Sequence, residues 1–325
     1  MNPDSVNAAV KKNAALSGFL NVSKPAGMTS HDVVNRVRRI TGIKQVGHAG
    51  TLDPMATGVM VVALGKACRL LRFLADDKSY RATITLGLIT DTDDITGKVL
   101  HENEKAKTAP PEREAVAVAL DQFCGAIEQI PPFYSAIHVD GKRLYELARS
   151  GQAPPEIKPR PVVIYKIELL SYEAPVVVIR VHCSKGTYIR SIARDLGQKL
   201  GLGGTLSGLV RETSGRFNID KAAPLDEMLA DPKAAMEKVV PVENALRLPL
   251  FEVDAENARR LGLGQKITAD NLPEPAAKIS EDQEEPPENF VLVSNATTNH
   301  PFCVGRVGEK EGQRYLAPEV VFADA

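Results

Sequence analysis

The chain has 325 residues, 43% hydrophobic and 25% charged, with a formal net charge of -1, enough apolar content for one large core and a smaller second domain. The most apolar run, residues 58–64, falls far short of the roughly 18 uninterrupted apolar residues a membrane span needs. Residues 1–17 carry Lys11 and Lys12 without the apolar stretch of a signal peptide, so they read as a disordered leader on a cytoplasmic protein.

In chain order, Thr29 or Ser30 can cap a helix over residues 31–41, with Val33, Val34, Val37 and Ile40 on one face. Residues 46–65, VGHAGTLDPMATGVMVVALG, form a non-periodic, glycine-rich segment around one carboxylate, Asp53. Glycines allow close backbone approach and Pro54 stiffens the chain beside the acid; the plain alternative is an Asp-Pro turn. Residues 80–86 alternate as a half-buried strand with Tyr80, Ala82, Ile84 and Leu86 on one side. Residues 129–151 join an aromatic Pro-Pro turn to a short basic helix carrying Lys142, Arg143 and Arg149. Rings interleaved with cations suit RNA, and core packing of Phe133, Tyr134 and Tyr145 explains the rings equally well.

Residues 162–170 and 176–183 are two further strands, and the second runs into a turn and a helix in which Ile189, Ile192, Ala193, Leu196 and Leu200 recur at helical spacing. Tyr188, Arg190 and Arg194 cluster at its start; arginines there serve a carboxylate, a phosphate or simply a solvated face. From residue 251 onward a strand, a short helix and a turn lead to an acidic, proline-bearing insertion at 271–289, and short apolar runs over 290–322 predict a small β-rich domain. That tail holds 14 acidic and 7 basic residues, net -7, so residues 1–250 carry about +6, and a phosphate-bearing partner belongs there. The class is α+β with a mixed or antiparallel central sheet.

Several chemistries are excluded. Cys68, Cys124, Cys183 and Cys303 form no C-x-x-C pair and the histidines show no metal spacing. Leu206 stands where a dinucleotide fingerprint needs its third glycine, and Met60 and Ala67 break the phosphate-loop pattern. The run Asp91, Asp93, Asp94 has Ile95 and Thr96 where a calcium loop needs an oxygen ligand and a glycine. No G-x-S-x-G elbow is present.

Six segments in order, FLNVSKPAGMTSHDVV (19–34), GHAGTLDPMATGVM (47–60), SYRATITLG (79–87), PPFYSAIHVDGKRLYELAR (131–149), CSKGTYIRSIARDLG (183–197) and LVRETSGRF (209–217), closely resemble the TruB family of bacterial tRNA pseudouridine synthases. The resemblance covers roughly residues 18 to 325. It implies a pseudouridine-synthase fold with a catalytic cleft over 18–250 and a PUA-like RNA-binding domain over 251–325. It further implies isomerisation of T-loop uridine 55 in tRNA, with no cofactor or metal, by a monomeric enzyme that binds the T-arm.

By family position Asp53 is the catalytic carboxylate, acting as nucleophile at ribose or base or as the base that forms a glycal. Arg190 becomes the cation that keeps it ionised in a dry pocket. Tyr80 supplies an aromatic face for the flipped base, and its hydroxyl a final proton acceptor. Leu209 closes the pocket, Tyr188 walls it and Lys24 braces the catalytic loop. His48 takes the flipped base's place in the RNA stack, the alternative being a ring bonded within its own loop. Competing readings are a guide-RNA-dependent synthase subunit, a non-catalytic tRNA-folding protein, and a glycosidase that releases free uracil.

Overall fold

The computed structural model describes residues 16–135, 137–139, 141–150, 155–268 and 289–325; nearly all of the 1–17 leader and of the 271–289 insertion lies outside them. The chain forms two compact units, one comprising residues up to Asp76 with Ser214–Ala325, the other Asp77–Thr213.

The first unit opens with β1 (Gly18–Lys24), α1 (Ser30–Thr41), β2 (Val46–His48) and β3 (Thr57–Leu64). Thr29 caps α1 in a reciprocal box with Asp32, and Gly42, at φ 70, ends it in the left-handed conformation. Those hydrogen bonds from Thr29 hold the Asp32 carboxyl below its ordinary pKa. A 3-10 helix, Gly65–Phe73, follows β3.

The second unit contains β4 (Lys78–Leu86), α2 (Arg113–Asp121), β5 (Gly125–Gln129), β6 (Arg160–Glu173), β7 (Val176–Cys183), α3 (Ile189–Lys199) and β8 (Gly204–Ser214). Its strands lie in the order β8-β4-β7-β6-β5, with β4, β7, β6 and β5 successively antiparallel. Tyr80, Ala82, Ile84 and Leu86 are buried as their alternation predicts, together with Val177, Ile179, Val181 and Cys183 of β7 and the apolar side of α3. The opposite face is charged: Glu212 meets Arg180 at 2.8 Å and Arg81 at 3.8 Å.

One reading is corrected here. Lys142 and Arg143 are not helical; they form a short strand, Lys142–Arg143, paired with His138–Val139, and the helix is Leu144–Arg149. Gly141, at φ 79, adopts the positive-φ conformation that lets the chain reverse.

The chain then returns to the first unit with β9 (Ala223–Pro224), β10 (Leu250–Val253), α4 (Ala255–Gly262), β11 (Ile267–Thr268), β12 (Phe290–Asn295), β13 (His300–Lys310) and β14 (Gln313–Val321). β9 is parallel and β3 antiparallel to β1, so this sheet is mixed. The last five strands form a second sheet in the order β10-β12-β13-β14-β11. β3 is buried on both faces, which explains its unbroken apolar run. Met60, Val62 and Leu64 pack with Val33, Val34 and Val37 of α1. Val59, Val61 and Ala63 pack with Phe19, Phe73, Leu292, Val304, Val320 and Phe322. The terminal sheet also carries its own core of Val291, Val293, Phe302 and Leu316 with Ala258 and Leu261 of α4. Among the described residues no helix is long and apolar enough to cross a membrane.

Cys124 is exposed, Cys68 half-buried, and Cys183 and Cys303 are buried; burial pushes the Cys303 thiol up to about 12 and also raises that of Cys68. A thiol reagent near neutral pH is therefore expected to modify Cys124 rapidly in the native protein, and Cys183 and Cys303 only after denaturation. Mass spectrometry that finds Cys303 labelled in the folded state would contradict this burial.

Candidate active site

Asp53 lies half-buried in the irregular stretch between β2 and β3. Backbone in such a stretch has no ladder of its own and needs partners from elsewhere. Ser30 provides one pair: its Oγ accepts from the Leu52 N–H at 2.8 Å and donates to the Leu52 carbonyl at 3.1 Å. The Gly27 N–H donates to the Pro54 carbonyl at 2.8 Å, and the Ala56 N–H donates to the Asp53 carbonyl at 3.0 Å, closing a turn around Pro54. Lys24, only 1% exposed, donates from Nζ to the carbonyls of Ala56 (2.6 Å), Pro25 (3.0 Å) and Pro54 (3.3 Å). The chain is thus pinned immediately before and after Asp53, with Lys24 Nζ among the groups that hold it.

His48 ends β2 opposite Val62. Its Nδ1 accepts the Gly50 N–H at 3.2 Å, which in the neutral ring places the proton on Nε2. The ring is therefore tied to its own loop through one nitrogen. Lys24, His48 and Asp53 all belong to the first unit.

The remaining candidates belong to the second unit. Tyr80 is 7% exposed on β4, opposite Val181, and Leu209 is buried on β8. Tyr188 is the half-buried N-cap residue of α3. Arg190, 5% exposed, donates from Nη1 to the Thr92 carbonyl (3.1 Å) and from Nη2 to the Tyr134 carbonyl (3.0 Å), with Asp94 Oδ2 3.8 Å from Nη1. One turn later Arg194 pairs with Asp93 at 3.0 Å and donates to the Ile130 carbonyl at 2.9 Å. Of the two arginines on this face, Arg190 is buried and Arg194 is half-buried, and both are engaged by side chains and backbone of the same unit. Burial raises the Asp93 carboxyl against the pull of Arg194.

The acidic run 91–94 therefore anchors arginines. Asp94 is itself held: its Oδ1 accepts from Thr92 Oγ1, the Thr96 N–H and Thr96 Oγ1, and the loop is clipped to β8 by the Ile95 N–H donating to the Leu206 carbonyl. Among the described residues no group of three or more His, Cys, Asp or Glu side chains is placed to hold a metal. Sequence reasoning weighed Ser30 only as a helix cap and Asp94 only as a calcium ligand, and gave Gln129 no role. The signal for Asp94 was present in the D-T-D-D-I-T spacing, which puts two hydroxyls within two residues of an acid; side-chain bonds to distant backbone leave no such trace.

Taken unit by unit, the molecule is an α+β protein that immobilises one carboxylate on a loop of its first unit and one buried arginine at a helix start of its second. Residues 38–189 match the TruB family pseudouridylate synthase N-terminal domain. The chain is 47% identical over 259 residues to the tRNA pseudouridine synthase B of Gloeobacter violaceus, covering 78% of this chain and 88% of that one. It is 39% identical over 322 residues to the protein of the same name from Prochlorococcus marinus, covering 95% and 98%. Among solved structures it resembles a chain in the crystal structure of a Cbf5-Nop10-Gar1 complex, with a TM-score of 0.68 and 25% identity over 96% of this chain and 87% of that one. The chain belongs to the TruB family of pseudouridylate synthases.

Lys24→Met keeps the aliphatic stem and removes the ammonium donor, leaving the carbonyl oxygens it meets short of a partner. The expected cost is about 1.5–3 kcal/mol, the worth of a charge-assisted bond, with faster amide exchange at Ala56, whose N–H closes the turn around Asp53. Unchanged denaturant midpoint and exchange would show that the brace contributes nothing.

Proposed function

We propose that the protein is a tRNA pseudouridine synthase that isomerises the T-loop uridine, with Asp53 as its catalytic carboxylate. The observation that carries this reading is identity of 39–47% to relatives named tRNA pseudouridine synthase B, combined with a loop whose backbone is fixed on both sides of Asp53. The reaction breaks the bond between N1 and the ribose C1′, joins C1′ to C5, and moves the C5 proton to solvent while N1 gains one. No net redox change occurs and no group leaves, so the residues need supply only a fixed carboxylate, a positive charge, an aromatic surface and a proton acceptor.

Asp53 acts as nucleophile or base toward the ribose or the pyrimidine. Holding its backbone rigid favours it because a reacting atom misplaced by about 1 Å loses on the order of 100-fold in rate. Arg190 is the candidate cation. The Thr92 and Tyr134 carbonyls orient its guanidinium, and Asp94 pairs with it at 3.8 Å. Tyr80 offers the flipped base its face and its hydroxyl accepts the C5 proton. Tyr188 and Leu209 bound the base. His48, with its proton on Nε2, enters the RNA stack. The T-arm binds the basic portion of the chain, and residues 251–325 act as a PUA-like RNA-binding domain. The enzyme works as a cytoplasmic monomer without cofactor.

Wild-type and Asp53→Asn proteins, incubated with unmodified tRNA in the absence of guide RNA, metal and nucleotide, test this. Wild type is expected to place pseudouridine at the T-loop uridine, and the variant to bind tRNA with undiminished affinity yet form no product. Product only when guide RNA is added moves the protein to a guide-dependent class, and release of free uracil makes it a glycosidase.

A further inference from the structure

Helix α3 begins without a side-chain cap: Tyr188, its N-cap residue, makes no capping bond, although the first-turn donors of a helix ordinarily need partners. Its start is set instead by the chain running on from β5. Gln129, the last residue of β5 and only 2% exposed, accepts the Tyr188 N–H on Oε1 at 2.7 Å and donates from Nε2 to the Tyr188 carbonyl at 3.1 Å. Its amide thus imitates a neighbouring strand for a single residue. That same Tyr188 carbonyl accepts the Ile192 N–H at 3.3 Å, an opening hydrogen bond of the helix.

The next residues continue the contact. The Ile130 carbonyl accepts from Ser191 Oγ at 2.8 Å and from Arg194 Nη2, and the Tyr134 carbonyl accepts from Arg190 Nη2. In this rail of main-chain acceptors Gln129 contributes a side chain that pairs with both the N–H and the carbonyl of one residue. A planar primary amide suits the task because it presents one donor and one acceptor in fixed geometry.

We propose that Gln129 is a positioning residue for catalysis, fixing the backbone of Tyr188 and, two residues on, the direction in which Arg190 leaves the helix. The inference rests on the reading that Tyr188 and Arg190 serve the reacting centre. Gln129 touches no substrate; it acts through the residues it aligns.

The test uses purified full-length protein and unmodified tRNA, measuring single-turnover pseudouridine formation, tRNA affinity and thermal melting for Gln129→Leu, Gln129→Glu and Arg190→Lys. Gln129→Leu is expected to lower the rate by on the order of 100-fold with tRNA affinity retained. Gln129→Glu distinguishes positioning from mere folding. Near pH 8.5 the ionised carboxylate still accepts the Tyr188 N–H but opposes the Tyr188 carbonyl. Toward pH 5.5 burial favours its protonated form, which donates again, so its rate relative to wild type is expected to rise by about tenfold or more.

A pH-independent ratio for Gln129→Glu, or a folded Gln129→Leu protein within about threefold of wild type while Arg190→Lys is severely impaired, overturns the role of Gln129 and leaves the site reading intact. Wild-type activity in Arg190→Lys sinks the reading of Arg190 itself, and the positioning role with it.

Discussion

The ammonium group of Lys24 holds the first unit's candidate chemistry in place. Removing a charge from water costs several kcal/mol unless polar groups surround it. Here main-chain carbonyls from Pro25, Pro54 and Ala56 converge on one nitrogen. The dependence runs both ways: the lysine is tolerable at 1% exposure because the loop turns its carbonyls inward, and the loop keeps that turn because the lysine stands inside it. Ser30 completes the arrangement from the opposite side of Asp53 by satisfying both polar groups of Leu52. A loop, usually the most deformable part of a fold, is thereby fixed on both sides of Asp53.

The second unit solves a related problem with a second buried cation. Arg190 is nearly as buried as Lys24 and is likewise held by carbonyls, those of Thr92 and Tyr134. Asp94 lies 3.8 Å away with one carboxylate oxygen already engaged by Thr92 and Thr96, so it lowers the cost of burying the guanidinium without forming a close bidentate pair.

How much of this was legible in the sequence follows from the kind of interaction involved. The strand around Tyr80, the helix capped by Thr29 and the helix after Tyr188 are visible because apolar spacing is a direct image of which side faces a core. β3 is legible only as an apolar run; that its odd residues meet the C-terminal sheet and its even residues meet α1 is tertiary information. Lys142 and Arg143 were misassigned because the apolar residues after them set a helical period that starts one residue later than the basic pair, while Gly141 supplies a hairpin turn. The roles of Ser30 and Gln129 were not legible because a single polar side chain bonded to distant backbone has no period, and Asp94 was weighed only as a cation ligand. Motif resemblance, not composition, singled out Asp53, whose local pattern alone fits an ordinary Asp-Pro turn.

The C-terminal sheet links architecture to charge. Leu292, Val304, Val320 and Phe322 lie in one hydrophobic cluster with Phe19, Val59 and Phe73, and at its margin Arg72 pairs with Glu319 at 2.6 Å while Arg306 reaches the same carboxylate at 3.9 Å. The acidic sign of the tail is thus partly spent on arginines of its own unit. Because the apolar side of β3 that carries Val59 and Val61 packs in one cluster with residues of this sheet, the strand that follows the Asp53 loop is backed by residues from the far end of the chain. The terminal sheet therefore supports the loop's framework whatever it contributes to RNA, since stripping it away would expose the side of β3 from which the Asp53 turn is suspended.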